Sequence, residues 1–391
     1  MAGCVALAGC MGPGRSKAAI DCPGVQSFNQ YAYGDAVAYF RANRVMPHVD
    51  YALESLRLGS AAIAAGQYAE AKQAFRDAVG ILDSFHTNTD LQKWAALVGQ
   101  ETVKVFKGEP YERAMAHYYL GLLYYAEADY GNASACFRNA LFKLKVYDEQ
   151  NDLQTDDAAE SELGIAWYLL ARCRQRMNDV ENSKRCFQYA SEASGAAAHW
   201  VSEFALNAKS NVVLIIETGK GPYKTPYGPN AVLADLNPIF ASRAVIPDVW
   251  IDGHQAPAPA QLVNLRRIAA KRKWQTLDTI RYVKGFLSSG IAVQQLQATG
   301  ALERSILNVV GTALGAGVSY DIRHWELMPE SIFVLPLALA PGSHTLKIIY
   351  RDTRDSELPW HTQEYGQVDV TAAKERLLWV RCGPKIEGGR L

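Results

Sequence analysis

Two arginines near the middle of the chain have the type and spacing to bind a carboxylate. Arg172 and Arg176 are four residues apart, so on a helix their guanidinium groups are neighbours on one face. A guanidinium pairs with a carboxylate through two parallel hydrogen bonds. The spacing predicts a clamp for an acidic side chain or an acidic peptide, and the alternative is a pair of solvent-exposed arginines.

A second set of polar residues has the composition of a hydrolytic site. The set comprises Asp248, Asp252, His254, Asp321, Arg323 and His324. Carboxylates beside imidazoles support general acid–base catalysis when they converge in space. Each also has a structural explanation, since Asp252-Gly253 suits a hairpin turn. A hydrolase therefore remains the alternative to a non-catalytic protein.

Three tryptophans suggest a third function. Trp250, Trp325 and Trp360 have flat faces on which sugar rings could stack, and core packing is the competing role. The sequence contains no HExxH, GxSxG or kinase signature. Gly219-Lys220-Gly221 is not a phosphate loop, because the two glycines lack the spacing of that motif and no Lys-Ser/Thr pair opens a helix after them.

The cysteine spacing and the charge balance argue against two further classes of function, metal binding and nucleic-acid binding. The seven cysteines fit no CxxC or zinc spacing, so no metal or cofactor is predicted. Cys136, Cys173 and Cys186 are expected to be small buried residues. Lys+Arg and Asp+Glu both number 40, which argues against a nucleic-acid footprint spread over the whole surface.

The arginine pair must be positioned by helices, and residues 114–141 show how those helices pair. Apolar residues recur there at helical spacing in two short runs. Gly121 in the first run, with Ala133 and Ala140 in the second, lets two helix backbones approach closely. Phe137 fills the space beside them. The segment predicts two helices packed face to face.

The same pattern occurs three times. The first copy places Gly59, Ala71, Phe75 and Ala78 at the offsets of Gly121, Ala133, Phe137 and Ala140. The third copy keeps Trp167, Leu170, Ala171, Phe187 and Ala190, with Ser183 for the expected alanine and Val180 for the expected tyrosine. This pattern resembles the tetratricopeptide repeat. Spacings of 62 and 50 residues between copies exceed the usual ~34, so inserts are expected, including an amphipathic helix at 89–107. Residues 26–48 are predicted to be helical, and the acidic stretch 148–160 is predicted to be a solvated loop.

The resemblance implies a binding surface. In tetratricopeptide proteins the first helix of each repeat lines a concave groove that holds a partner. The matching positions here are Tyr118, Leu122, Tyr125, Tyr168, Arg172 and Gln175, with Arg176 nearby.

The pattern changes near residue 210, where Asn211–Glu217 is a β-branched run. Further strands are predicted at 245–254, at 332–339 with a return strand after Pro341-Gly342, at 366–370 and at 376–382. Residues 262–312 have a helical pattern with a basic cluster. We predict an α+β chain, with a helical-repeat domain at 23–210 and a β-rich domain at 211–391. The second domain is expected to be an antiparallel sandwich with a helical insertion at 262–312.

The N-terminus resembles a bacterial lipoprotein. Leu7-Ala8-Gly9-Cys10 matches the lipobox, which implies cleavage before Cys10 and lipidation of its thiol. Residues 11–17 have the composition of a flexible tether, so residues 1–22 form signal peptide and tether. A covalent lipid holds a protein on a membrane without spanning it, and no other stretch is apolar enough to span one.

The order of these parts resembles a family of bacterial envelope lipoproteins with degenerate tetratricopeptide repeats and a C-terminal β-rich region. The matching stretches include 108–113, 119–121, 213–221 and 321–329. The family supplies no catalytic residues. The resemblance implies a non-catalytic protein on the periplasmic side of the outer membrane that binds or scaffolds envelope proteins or peptides.

Overall fold

The computed structural model of the 391-residue chain describes residues 22–84, 105–144, 162–194, 199–227, 233–236, 245–272, 323–352, 354–371 and 375–382. Several predictions lie outside these ranges. They are Cys10, the acidic loop 148–160, Asp321, residues 89–104 of the predicted inserted helix and residues 273–312 of the predicted helical insertion. Residues 105–107 of that inserted helix are described and are not helical.

The helical part comes first. Its helices are α1 (Pro23–Asn29), α2 (Tyr33–Asn43), α3 (Tyr51–Ala64), α4 (Tyr68–Ser84), α5 (Pro110–Ala126), α6 (Tyr130–Lys143), α7 (Gly164–Arg176), α8 (Val180–Ser194), the 3-10 helix η1 (His199–Ser202) and α9 (Phe204–Lys209). The stretch 26–48, predicted to be helical, contains two helices, because Tyr31 adopts a φ of +64° and separates α1 from α2; residues 44–48 are not helical. Across the described residues, no helix combines the length and apolar character needed to cross a bilayer.

Helices α3 to α8 form the three predicted hairpins, and the same turn closes each of them. The middle residue of each three-residue turn is left-handed: φ is +73° at Gly66, +63° at Ala128 and +62° at Asn178. The next N–H donates back to a carbonyl five residues earlier: Gln67 to Ala62 at 2.8 Å, Asp129 to Tyr124 at 3.0 Å and Asp179 to Arg174 at 2.8 Å. This is the Schellman arrangement, which satisfies the last carbonyls of a helix.

Small residues bring the paired helices together as predicted. A Cβ on Gly59 would lie 2.7 Å from the Phe75 ring, and one on Gly121 would lie 2.7 Å from the Phe137 ring. In the third hairpin, the Ser183 hydroxyl donates to the Ala171 carbonyl at 2.8 Å. The serine therefore keeps the tight contact without an unsatisfied buried hydroxyl.

The strands follow. They are β1 (Val212–Thr218), β2 (Lys224–Tyr227), β3 (Leu233–Leu236), β4 (Ile246–Ile251), β5 (His254–Gln255), β6 (Ala260–Asn264), β7 (Ser331–Leu337), β8 (Gly342–Arg351), β9 (Gln363–Val370) and β10 (Arg376–Arg381). Helix α10 (Leu265–Arg272) follows β6, and the 3-10 helix η2 (Pro359–His361) precedes β9. Residues 262–264, which were predicted to be helical, belong instead to strand β6.

Two four-stranded sheets form the sandwich. The inner sheet has the order β10-β1-β7-β6 and the outer sheet the order β5-β4-β8-β9, while β2 and β3 pair separately. Strand β10 runs parallel to β1, so the inner sheet is mixed rather than purely antiparallel as predicted. The described part of the chain is therefore α+β, with helical repeats followed by strands.

The inner sheet is buried on both faces. On β1, Val213 and Ile215 join the helices in one continuous apolar core. Val212, Leu214 and Ile216 join the outer sheet in a second core. Because side chains alternate along a strand, an unbroken apolar run is what a middle layer needs. The described part of the chain has three layers: helical repeats, inner sheet and outer sheet.

We expect Gly121→Ala to lower the free energy of unfolding by about 1–3 kcal/mol, since the new methyl group overpacks against Phe137. The matched control is Gly80→Ala in α4, where a Cβ would meet nothing within 4 Å. That control should stabilise the chain by about 0.5–1 kcal/mol through helix propensity. Urea unfolding followed by circular dichroism measures both, and equal effects at the two sites would contradict the close-packing account.

Candidate functional site

The first helices of the repeats, α3, α5 and α7, turn one side toward the inner sheet. We call this side the repeat face, and we call its contact with the inner sheet and residues 323–330 the seam. The apolar core is continuous across the seam, where Tyr118 and Tyr168 share it with Ile215 and Trp379. The repeat face is thus covered by the chain's own β region.

The predicted groove is therefore not open in this chain. The side chains of Tyr118, Leu122, Tyr125, Tyr168 and Arg172 are buried. For these five residues, the expectation of a free concave surface is wrong, because the inner sheet occupies that surface. Gln175 is half-buried, and the Arg176 side chain is 31% exposed at the edge of the seam.

The arginine clamp does form, and its carboxylate comes from the same chain. Arg172 and Arg176 both pair with Glu375, just before β10, whose side chain is only 2% exposed. The Tyr125 hydroxyl donates to the same carboxylate. Charge-assisted bonds of this kind are the strong ones.

Arg172 is anchored on its other side by the segment that leads into β1. Its Nη1 donates to the Ser210 hydroxyl at 2.9 Å and to the Asn207 carbonyl. The Tyr168 hydroxyl donates to the Asn207 side chain at 2.8 Å. The guanidinium is thus fully buried but hydrogen-bonded, as a buried charge must be.

A second polar cluster lies at the centre of the seam. Glu217 is on β1, on the same side of the strand as Val213 and Ile215, and is fully buried. The Tyr119 hydroxyl donates to its Oε1 at 2.8 Å, and Arg381 Nη1 lies 3.9 Å from its Oε2. Burial raises the pKa of the Glu217 carboxyl.

The first turn of α5 makes a third cluster. Glu112 Oε2 accepts from the Glu109 N–H, and its Oε1 accepts from the Trp325 N–H, both at 2.6 Å. Lys224 Nζ lies 2.5 Å from Glu109 Oε1. The side chain that caps the helix therefore also fixes the segment that contains Trp325.

Helix α3 contributes a fourth cluster. Arg57 lies between two acids: its Nη1 donates to Glu54 at 2.7 Å, and its Nε donates to Glu326 at 2.9 Å. Burial raises the pKa of Glu54 to about 7, against the lowering effect of Arg57. Each repeat therefore contributes at least one buried ionic or hydrogen-bonded contact to the seam.

The proposed hydrolytic residues lie in separate contacts. Asp248 accepts from Arg351 Nε at 2.6 Å, Asp252 is 2.6 Å from His344 Nδ1, and Arg323 pairs with Asp50. His254 is exposed, while His324 is buried. For the described residues, the predicted convergence is wrong: Asp252 supports a strand pairing, and Arg323 ties the β region to α3.

Trp250 and Trp325 do not make a shared platform. Trp325 is completely buried; its Nε1 donates to the Ser60 hydroxyl at 3.1 Å. Its ring centroid lies 5.9 Å from that of Phe75 and 5.7 Å from that of Tyr119. Trp250 is half-buried on the outer sheet, and the Trp360 side chain lies outside the described part. The stacking role is therefore wrong for Trp325, which fills the seam.

The structural role predicted for the cysteines is confirmed. Cys136, Cys173 and Cys186 are buried and free. Burial raises the pKa of the Cys136 thiol to about 12, so the reactive thiolate is disfavoured.

Sequence reasoning missed Glu217, Glu326 and Glu375. Glu217 could have been found, because it ends an apolar strand run on the same side as Val213 and Ile215. Glu375 offers no such signal, since its partners Arg172 and Arg176 are about two hundred positions away and only the fold brings them together.

Comparison with known proteins identifies the repeat type. A family model described as "Tetratricopeptide repeat" matches residues 56–81, which lie in the first hairpin. A search of curated proteins found no match.

Two solved structures match about half of this chain. One, described as "MamA RS-1 ArsTM double mutant", is 14% identical and has a TM-score of 0.32; the match covers 49% of this chain and 84% of that one. The other, "Crystal Structure of Rap Protein Complexed with Competence and Sporulation Factor", is 13% identical and has a TM-score of 0.23, with 47% and 54% covered. At these scores, neither likeness extends the assignment beyond a tetratricopeptide repeat.

We expect Glu375→Gln to lower the free energy of unfolding by about 3 kcal/mol, because it leaves two guanidiniums at the seam without their carboxylate. Glu364→Gln is the matched control, since Glu364 pairs with Lys347 at 2.9 Å while 73% exposed. That change should cost less than about 1 kcal/mol. Equal losses in urea unfolding would show that the Glu375 contact is not special.

Proposed function

We propose that this chain is a non-catalytic binding protein that holds partner proteins or peptides through its tetratricopeptide-type repeats. One observation carries the proposal: the repeat face binds a polypeptide segment through its carboxylate, with Arg172 and Arg176 on either side of Glu375. Here the segment belongs to the same chain. The chemistry is nevertheless that of a receptor for an acidic segment.

The edge of this clamp is accessible to a partner. Arg176 keeps 31% of its side chain exposed, and Met177, the next residue, is 44% exposed. A cation beside an apolar side chain suits a partner segment that presents an acidic residue next to an apolar one. We propose that partners contact the repeats first at this edge.

The proposed location is the cell envelope. The lipobox-like Leu7–Cys10 supports a lipid on Cys10, which would hold the folded body beside a membrane. The periplasmic side of the outer membrane and an envelope partner are part of the same proposal. A hydrolase is not proposed, because Asp248, Asp252 and Arg323 each serve a separate structural contact.

We expect Arg176→Glu to reduce partner recovery several-fold in crosslinking experiments on cells, because it places a negative charge where the partner's acid would bind. The matched control is Arg185→Glu, on the exposed side of α8. Crosslinked partners are identified by mass spectrometry in the wild-type strain and in the strains with the two variants. The same partners in the same amounts from both variants would remove this edge as the binding site.

We expect Cys10→Ala to abolish metabolic labelling of the protein with a radioactive fatty acid, since the acylated thiol is removed. Cys4→Ala is the matched control and should label like the wild type. Label retained by the Cys10 variant would refute the anchor without affecting the proposal for the repeats.

A further inference from the structure

Two carboxyl groups at the seam each have an oxygen that no donor reaches. Glu54 Oε2 and Glu217 Oε2 are both buried and without a hydrogen-bond partner. Glu54 is on the repeat face and Glu217 on the inner sheet, so the two groups lie on opposite sides of one contact surface. A buried charged oxygen without a partner is costly, whereas the protonated group is neutral.

The arginine beside each acid is already committed to another acceptor. Arg57 uses Nε and Nη2 on the two oxygens of Glu326, which leaves only Nη1 for Glu54. Arg381 Nη1 donates to the Leu327 carbonyl at 2.6 Å and stays 3.9 Å from Glu217. Arg57 therefore divides its charge between two acids, and Arg381 is too far from Glu217 to donate a hydrogen bond to it.

Among the described groups that face each acid directly there is one cation, Arg57 for Glu54 and Arg381 for Glu217, while His324 lies beside Glu326. Glu54 faces Cys22 and Glu326 in addition to Arg57. Glu217 faces Tyr118, Tyr119 and Trp379 in addition to Arg381. Within the described residues, the Glu54 cluster thus has two carboxyls for one guanidinium.

We infer that the seam is proton-linked: Glu54 and Glu217 hold protons while the repeats are closed on the inner sheet, and the closed arrangement weakens as rising pH removes them. The inference concerns what controls the seam and does not depend on which partner the repeats bind. If the seam is proton-linked in this way, alkaline conditions favour release of the repeat face from the inner sheet.

The direction follows from linkage. An acid whose pKa is raised in the folded state binds more protons folded than unfolded, so stability falls as pH rises through that interval. Burial raises the pKa of Glu54 to about 7 from its ordinary value of 4.5, and it raises that of Glu217 as well. For Glu54 the interval therefore extends from the ordinary carboxyl range to about pH 7.

The test uses the full chain and compares hydrogen exchange at about pH 5.5 and about pH 8, after correction for the intrinsic rate. In the wild type, we expect protection of β1 and of residues 323–330 to fall by at least about tenfold at the higher pH. Strands β8 and β9, which are away from the seam, should change much less. Any change of protection in β8 and β9 measures the separate effect of the His344–Asp252 pair on stability. The pKa of His344 is raised by hydrogen bonds to the Ala340 carbonyl and to Asp252.

The variant Glu54→Gln/Glu217→Gln mimics the protonated groups and should lose most of the wild-type pH response at the seam; the remaining response is that of Glu112, whose pKa burial also raises to about 7. The matched control is Glu70→Gln, because the pKa of Glu70 is lowered by Arg41; this variant should retain the wild-type pH response at the seam. If the double variant does not fold, infrared spectroscopy of the wild type tests the inference instead. The spectrum should show protonated carboxyl groups near neutral pH. Unchanged wild-type seam protection between the two pH values, or no protonated carboxyl band, would overturn the inference.

Discussion

Strand β1 contacts both halves of the molecule, and the rest of the architecture depends on its two-sided burial. Its alternate side chains enter two different cores, one shared with the helical repeats and one with the outer sheet. Because side chains alternate strictly along a strand, this division fixes which residues meet the repeats. Leu377 and Trp379 on β10 follow the same rule, as do Ile332 and Val334 on β7. The repeats therefore belong to a layered body and are not a free solenoid.

The seam combines a large apolar core with several ionic contacts, and the two kinds of interaction have different roles. Apolar burial around Trp325 and Trp379 is non-directional and supplies most of the favourable free energy. Buried ion pairs contribute little net stability, because desolvation offsets their attraction. Their value is geometric: Glu375 pairs with both Arg172 and Arg176, which holds the segment before β10 against α7. Both terms favour the same closed arrangement.

The contact between the repeat face and the inner sheet also limits which surface of the repeats is accessible. In an open repeat array the first helices present a concave surface, but here that surface contacts the inner sheet. The groups that would recognise a partner, a guanidinium pair and the Tyr125 hydroxyl, are occupied by the chain's own carboxylate. In the proposed function, partner binding would therefore begin at the exposed edge near Arg176 or compete with the segment before β10. The same chemistry thus describes the internal contact and the proposed external one.

The sequence by itself determined the local structure. Glycine and alanine at matched offsets predicted three close-packed helix pairs, because only small side chains permit that approach. The β-branched run at 211–217 predicted a buried strand, and the three spaced cysteines were identified as buried. The arginine pair was identified as a carboxylate clamp from its spacing of one helical turn. Each inference depends on residue spacing within one helix, one strand or one hairpin, which is why single-sequence patterns were sufficient.

Only the tertiary structure decided which carboxylate the clamp holds and whether the groove is open. Glu375 reaches Arg172 because β10 pairs in parallel with β1, and no local pattern encodes a contact across about two hundred residues. The parallel pairing also explains why the antiparallel prediction was wrong for the inner sheet. Asp252 and Arg323 were assigned to a possible catalytic site for the same reason: residue type shows what chemistry is possible, but long-range packing decides which partner each group meets.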